Sequence, residues 1–128
     1  MQAERFELGE GLSRTAGQAL DEALAFLAAN PETVLLAGGT DLALKIKEGR
    51  ETPEVLIDIK GIQELKTLSI HDNSLHLRAL VSFSNLINSD LINERFSLLS
   101  DASSTVGSVG IRNRATMGGN ICSAVPSL

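Results

Sequence analysis

The sequence predicts an α+β fold in which a small parallel βαβ unit precedes the start of an antiparallel-sheet subdomain. Three observations predict it. Apolar residues recur at helical spacing from Ala16 to Ala29. Two short apolar runs, Val34-Leu35-Leu36-Ala37 and Val55-Leu56-Ile57-Asp58-Ile59, then flank a short helical stretch. Beyond them, Leu68-Ser69-Ile70 and Leu75-His76-Leu77-Arg78-Ala79 alternate apolar and polar on either side of His71-Asp72-Asn73-Ser74.

In the first helix Ala16, Ala19, Leu20, Ala23, Leu24 and Leu27 form one buried stripe. Thr15 is placed to cap it. Asn30-Pro31 ends it, because a residue before proline avoids helical angles and proline has no N–H to donate. The run from Val34 to Ala37 does not alternate, which reads as a strand buried on both faces. It leads into Gly38-Gly39-Thr40-Asp41, then into a helix from Leu42 that Gly49 stops before Pro53 and the second strand. Character changes near Gly61, so residues 1–60 are read as one subdomain and 61–128 as the first part of a second. There the hairpin has one wet face, which carries His76. Ser82 caps a short helix. A second helix runs from Phe96 to Val106 with Leu98, Leu99, Ala102 and Val106 inward and Gly107 as its C-cap.

Composition narrows the function. The chain has 128 residues, 11 basic against 16 acidic, a formal net charge of −5, no Trp or Tyr and four Phe. That balance opposes phosphate-backbone neutralisation and leaves few rings for base stacking, so nucleic acid is excluded as a partner. No apolar run approaches the roughly 20 residues that span a bilayer, and MQAERFELGE lacks the basic and apolar regions of a secretory signal; a cytoplasmic, membrane-free protein is expected. Cys122 is the single cysteine, so no internal disulfide or chain-borne iron–sulfur cluster can form. In the run Asn120-Ile121-Cys122 it reads as a small buried hydrophobe. Two unclustered histidines argue against a metal site. The Asp90, Asn93, Glu94 group reads as a solvated helix end, and no carboxylate pair stands out as general acid and base.

Two Gly-Gly pairs flanked by Thr carry the chemistry: Leu36-Ala37-Gly38-Gly39-Thr40-Asp41 and Ala115-Thr116-Met117-Gly118-Gly119-Asn120. Glycine lets a phosphate approach backbone N–H groups closely, and successive amides form an anion-binding nest. A helix starting near Thr40 or Asp41 would reinforce the first loop. Asp41 would repel a phosphate there unless its side chain caps that helix. Neither loop has Walker A or GxGxxG spacing. On pattern alone the two loops are anion cradles or tight turns. Arg112 and Arg114 read as exposed arginines beside a turn, with a phosphate or an acidic partner surface as alternatives.

Together, LLAGGTDLALKIKEG and IRNRATMGGNICSAVPSL resemble the two FAD-binding signatures of the medium, flavoprotein subunit of molybdenum hydroxylases, the xanthine dehydrogenase and carbon monoxide dehydrogenase family. PEVLIDIKGIQELKTL and LHLRALVSFSNL resemble the strand, turn and helix segments between them. The resemblance covers the whole chain. It implies a PCMH-type, vanillyl-alcohol-oxidase-like FAD-binding domain with FAD held between two subdomains. It places Leu35, Leu36, Ala37, Gly38, Gly39, Thr40, Asp41 and Leu42 along the FAD pyrophosphate and its neighbouring sugar and ribityl groups, and Thr116, Gly118, Gly119 and Asn120 on the facing loop. Val106, Gly107, Ile111, Ala115 and Cys122 would line the adenine or flavin side, with Phe83 as an apolar contact. The resemblance names no catalytic residue, because the isoalloxazine ring carries the redox chemistry.

Its partners are an iron–sulfur (2Fe-2S) subunit and a molybdopterin-binding large subunit, with NAD⁺ or another acceptor taking the electrons. The family's motif runs on beyond Leu128, where this sequence stops. The rival expectation is therefore a truncated, non-catalytic piece that acts in assembly and self-associates through exposed core.

Overall fold

The computed structural model describes residues 16–124. Helix α1 (Ala16–Ala29) leads to strand β1 (Val34–Leu36), helix α2 (Leu42–Lys47) and strand β2 (Leu56–Asp58). β1 and β2 pair in parallel, Val34 with Leu56, Leu35 with Ile57 and Leu36 with Asp58, so the strand–helix–strand order is a βαβ unit. Lys45 and Lys47 lie in the last turn of α2, which favours cations, and Gly49 leaves the helix at φ +69°. The Thr15 cap lies outside the described residues.

A 3₁₀ turn (Gln63–Lys66) leads to the antiparallel pair β3 (Leu68–His71) and β4 (Ser74–Leu77). The pairing reaches His71 and Ser74, so the turn is only Asp72-Asn73, at φ 48° and 59°. That is the two-residue turn whose twist matches a hairpin's, and Asn and Asp tolerate its positive φ. Ser74 and His76 are exposed while Leu75 and Leu77 turn inward, the single wet face expected from alternation. Ser82 then starts α3 (Phe83–Ile87) through a capping box: its hydroxyl accepts from Asn85 N while Asn85 Oδ1 accepts from Ser82 N.

After α3 come α4 (Asp90–Arg95), α5 (Ser97–Ser104), α6 (Val109–Arg112) and α7 (Met117–Ser123). The acidic group at Asp90 to Glu94 is α4 itself, capped by Ser89, whose hydroxyl accepts from Ile92 N at 3.4 Å. Phe96 breaks helical geometry at φ −139° and separates α4 from α5, so the helix expected from Phe96 to Val106 is shorter. Its inward face also differs. Leu98 is 80% exposed and Ala102 is exposed, while Ser103 is buried with its hydroxyl donating to Leu99 O at 2.6 Å. Gly107, at φ +47°, turns the chain three residues beyond the last of α5.

Two apolar clusters hold these elements. Ala23 of α1, Ile57 and Ile59 at β2, Ile62 and Leu80 form the first, with Leu20, Leu27 and Ala37 packed against it. Leu24, expected in the stripe, is 55% exposed because only one side of α1 meets this cluster. Val81, Phe83, Leu86, Ile92 and Ala115 form the second, beneath Leu75, Leu77 and Leu99. No helix of the described residues is long and apolar enough to cross a membrane.

β1 is not buried on both faces. A two-stranded sheet covered by α1 leaves Leu35 42% exposed, at the wall of a cavity.

Candidate functional site

That cavity, about 370 Å³, opens where the loop after β1 meets α6 and α7. One wall is Leu35, Ala37, Gly38, Gly39, Thr40, Asp41 and Leu42; the other is Val106, Ile111, Ala115, Thr116, Gly119, Asn120 and Cys122. The structure thus gathers two segments some seventy residues apart around one space. Four expected site residues do not line it. Leu36 sets its side chain beside Gly39, Gly107 forms the turn after Val106, Gly118 is packed on Ala79, and Phe83 is buried in the second cluster with 4% exposure.

The first loop is an open donor array. The amides of Gly38, Gly39, Thr40, Asp41 and Leu42 have no hydrogen-bond partner among the described residues, whereas Ala43 N already bonds Gly39 O at 3.1 Å. Successive unmatched amides ahead of a helix form a nest for anionic oxygens. Gly39 sits at φ +76°, a conformation L side chains rarely adopt, and a Cβ there would lie 2.9 Å from Leu36 Cδ1. The side chain of Asp41 does not cap α2 as expected. Its Oδ2 instead accepts from Ser123 Oγ at 3.0 Å, tying the two walls together.

The second Gly-Gly pair is not a loop. Gly118 and Gly119 occupy the first turn of α7, with Thr116 as N-cap, and their amides are taken. Met117 N donates to Val81 O and Gly118 N to Ala79 O, both at 2.9 Å, and Gly119 N donates to Thr116 Oγ1 at 3.1 Å. A second amide nest is therefore ruled out here. What this wall offers is the Thr116 hydroxyl proton, the Asn120 carboxamide and a surface kept low by Gly119, whose Cβ would approach Ala37 Cβ at 3.9 Å across the cavity.

The other glycine of each pair packs against backbone. A Cβ on Gly38 would stand 2.1 Å from Arg114 O, and one on Gly118 2.8 Å from Ala79 O. Each pair thus divides its work: Gly38 and Gly118 let segments meet, while Gly39 and Gly119 shape the cavity.

Cys122 is exposed rather than buried, because α7 turns Ile121, 69% exposed, and Cys122 away from both clusters. Arg112 folds back onto its own chain. Its Nη1 donates to Val106 O at 3.0 Å and Gly107 O at 2.8 Å, fixing the corner that presents Val106 to the cavity. Val34, Lys45, Glu51 and Ser123 also line the space and were not singled out from sequence. Lys45 had a signal, since it lies four residues after Asp41 and so one helical turn along the same face. No group of three or more His, Cys, Asp or Glu among the described residues forms a metal site.

Comparison with known proteins decides what such a loop and helix start belong to. Residues 12–127 match the FAD binding domain in molybdopterin dehydrogenase. The chain belongs to that family of FAD-binding domains.

Among relatives of this FAD-binding domain, the nicotinate dehydrogenase FAD-subunit of Eubacterium barkeri is 41% identical over 87 residues, covering 68% of this chain and 29% of that protein. The xanthine dehydrogenase FAD-binding subunit of Escherichia coli O157:H7 is 34% identical over 84% of this chain and 37% of that one. The structure of carbon monoxide dehydrogenase from Hydrogenophaga pseudoflava, lacking the Mo-pyranopterin moiety of its molybdenum cofactor, matches with a TM-score of 0.75 and 35% identity, covering 78% of this chain and 35% of that one. The chain therefore spans about a third of the length of the relatives it matches. FAD is the cofactor of the family, and this FAD-binding domain fits it: residues with unmatched amides line the opening, and the positive φ of Gly39 shapes their loop.

Proposed function

We propose that this chain grips the diphosphate segment of FAD within an electron-transfer subunit of a molybdenum hydroxylase, its partners being an iron–sulfur subunit and a molybdopterin-binding subunit. The observation that carries the reading is the run of unmatched amides from Gly38 to Leu42 on a cavity closed by Thr116, Gly119 and Asn120. Bound flavin supplies the redox chemistry, taking electrons from iron–sulfur clusters and passing them to NAD⁺ or another acceptor.

The chain's own residues bind and orient. Neutral amides donate to phosphate oxygens without adding charge, which lets an acidic chain hold an anionic cofactor. Thr116 and Asn120 add donors from the facing wall, and Val106, Ile111 and Ala115 give an apolar floor that excludes water. In this reading residues 1–60 and 61–128 are the two subdomains of a PCMH-type layout, and the cofactor lies between them. A second reading, an assembly piece that associates with copies of itself, draws on the exposure of Leu98, Val109 (64%) and Ile121.

The deciding experiment is titration of the purified chain with FAD, following flavin fluorescence and thermal unfolding together. Saturable binding that raises the melting temperature is expected. A well-folded chain with no FAD binding overturns the reading. Sedimentation of the same sample tests self-association.

A further inference from the structure

A second cleft, about 400 Å³, shares only Gly38 and Thr116 with the cofactor cavity. Its charged lining residues come from three stretches of chain: Lys60 after β2, Lys66 at the end of the 3₁₀ turn, and Arg114 between α6 and α7. No acidic residue lines it, in a chain whose net charge is −5. Lys60 is held by Asp58, Nζ to Oδ2 at 2.7 Å. Lys66 and Arg114 have no carboxylate partner among the described residues, and Glu64, on the same turn as Lys66, is not part of the lining.

The neutral polar groups of the cleft point to the same chemistry. Asn85 Oδ1 is occupied by Ser82 N at 3.0 Å and Ser82 Oγ at 2.8 Å, and Asn113 Oδ1 accepts from Ser84 Oγ. With both carboxamide oxygens engaged, what Asn85 and Asn113 have left to give is Nδ2–H. Two cations without a carboxylate partner and two amide donors face a cleft with no acidic residue in its lining, and a cleft of one sign concentrates ions of the other. The lining contains no aromatic ring, so nothing in it stacks on a nucleobase.

We propose that this cleft is a site for a small non-aromatic oxyanion, a phosphate or a carboxylate, held by Lys66 and Arg114 with Asn85 and Asn113 completing its hydrogen bonds. The groups assigned to hold the anion, Lys66, Arg114, Asn85 and Asn113, do not line the cofactor cavity, so the proposal does not rest on the FAD reading. A planar guanidinium takes two oxygens of such a ligand side by side, and the lysine adds a point charge.

The test is a titration of the ¹⁵N-labelled chain with inorganic phosphate, and in a second arm with succinate, at constant ionic strength set by chloride. Saturable shifts in the backbone amides of Lys66, Asn85 and Arg114 are expected, with the tighter arm identifying the ligand class. The double variant Lys66→Gln, Arg114→Gln is expected to bind at least about tenfold more weakly, as for loss of charge-assisted hydrogen bonds. Both side chains are solvent-facing, so the variant keeps the fold, and its unshifted amide spectrum checks this. The proposal is overturned if neither anion saturates beyond chloride, if the double variant binds equally well, or if the shifts map to residues 39–42 instead.

Discussion

Ser123 Oγ donates a hydrogen bond to Asp41 Oδ2 at 3.0 Å, joining the end of α7 to the start of α2 across 82 residues of sequence. The bond places a carboxylate at the rim of a cavity whose other donors favour anions. Asp41 thus contributes in two opposed ways, as a clasp and as a negative charge. Asp41→Asn separates them, because a carboxamide oxygen still accepts from Ser123. FAD affinity of Asp41→Asn is expected to rise a few-fold at low salt, with the gain shrinking as salt screens it. Ser123→Ala is expected to weaken FAD binding with stability changed by less than about 1 kcal/mol, since the bond is exposed. Isothermal titration at two salt concentrations checks both, and a loss of affinity in Asp41→Asn contradicts the account.

The two glycines of the first pair, and the two of the second, are expected to fail differently. Gly38→Ala puts a methyl 2.1 Å from Arg114 O, so the chain must part there; a loss of about 1–3 kcal/mol or more is expected in urea denaturation. Gly119→Ala lies in the first turn of α7, where alanine gains up to about 1 kcal/mol in propensity while its methyl meets Thr116 Oγ1 at 3.0 Å. Those effects offset, leaving stability little changed, yet the added methyl enters the cavity and FAD affinity falls. Gly39→Val, at φ +76°, is expected to lose both binding and stability.

How far the sequence reveals these relationships depends on where the deciding contact lies. The parallel pairing of β1 with β2, the span of α1 and the Ser82 cap follow from local pattern, because the signals sit within a few residues of what they control. The second Gly-Gly pair is misread as a loop because glycine is a poor helix former. Helix α7 forms there because Thr116 caps it and the carbonyls of Ala79 and Val81, far away in sequence, accept its first amides. Likewise Ser103 lies inward and Ala102 outward, since α4 and Phe96 reset the phase of α5. At the site, sequence yields the residues that line the cavity but not which amides remain free. That is decided by tertiary hydrogen bonds.

Thr116 is buried, and its Oγ1 accepts from Gly119 N. Thr116→Val keeps the shape and removes the acceptor, leaving an amide of α7 unmatched. A loss of about 1 kcal/mol is expected, within the range for N-cap removal. Thr116→Ser restores the acceptor and should recover most of that loss. Denaturant midpoints of the three proteins decide it, and an equally unstable Thr116→Ser would show that the methyl, not the cap, matters.

Leu86 and Leu98 test the second cluster. Leu86 of α3 is fully buried among Val81, Phe83 and Ile92, so Leu86→Ala removes packed methyls and leaves a void; about 2–5 kcal/mol is expected. Leu98 has the same side chain on α5 but is 80% exposed, and Leu98→Ala is expected to change stability by less than about 0.5 kcal/mol. The comparison holds chemistry constant and varies burial alone. It also bears on assembly: if copies of the chain associate through α5, Leu98→Ala shifts the sedimentation profile towards monomer while the melting temperature at low concentration stays fixed. A large loss of stability in dilute Leu98→Ala would instead mean that α5 presents its other face to the core, and the inward role assigned to Ser103 would fall with it.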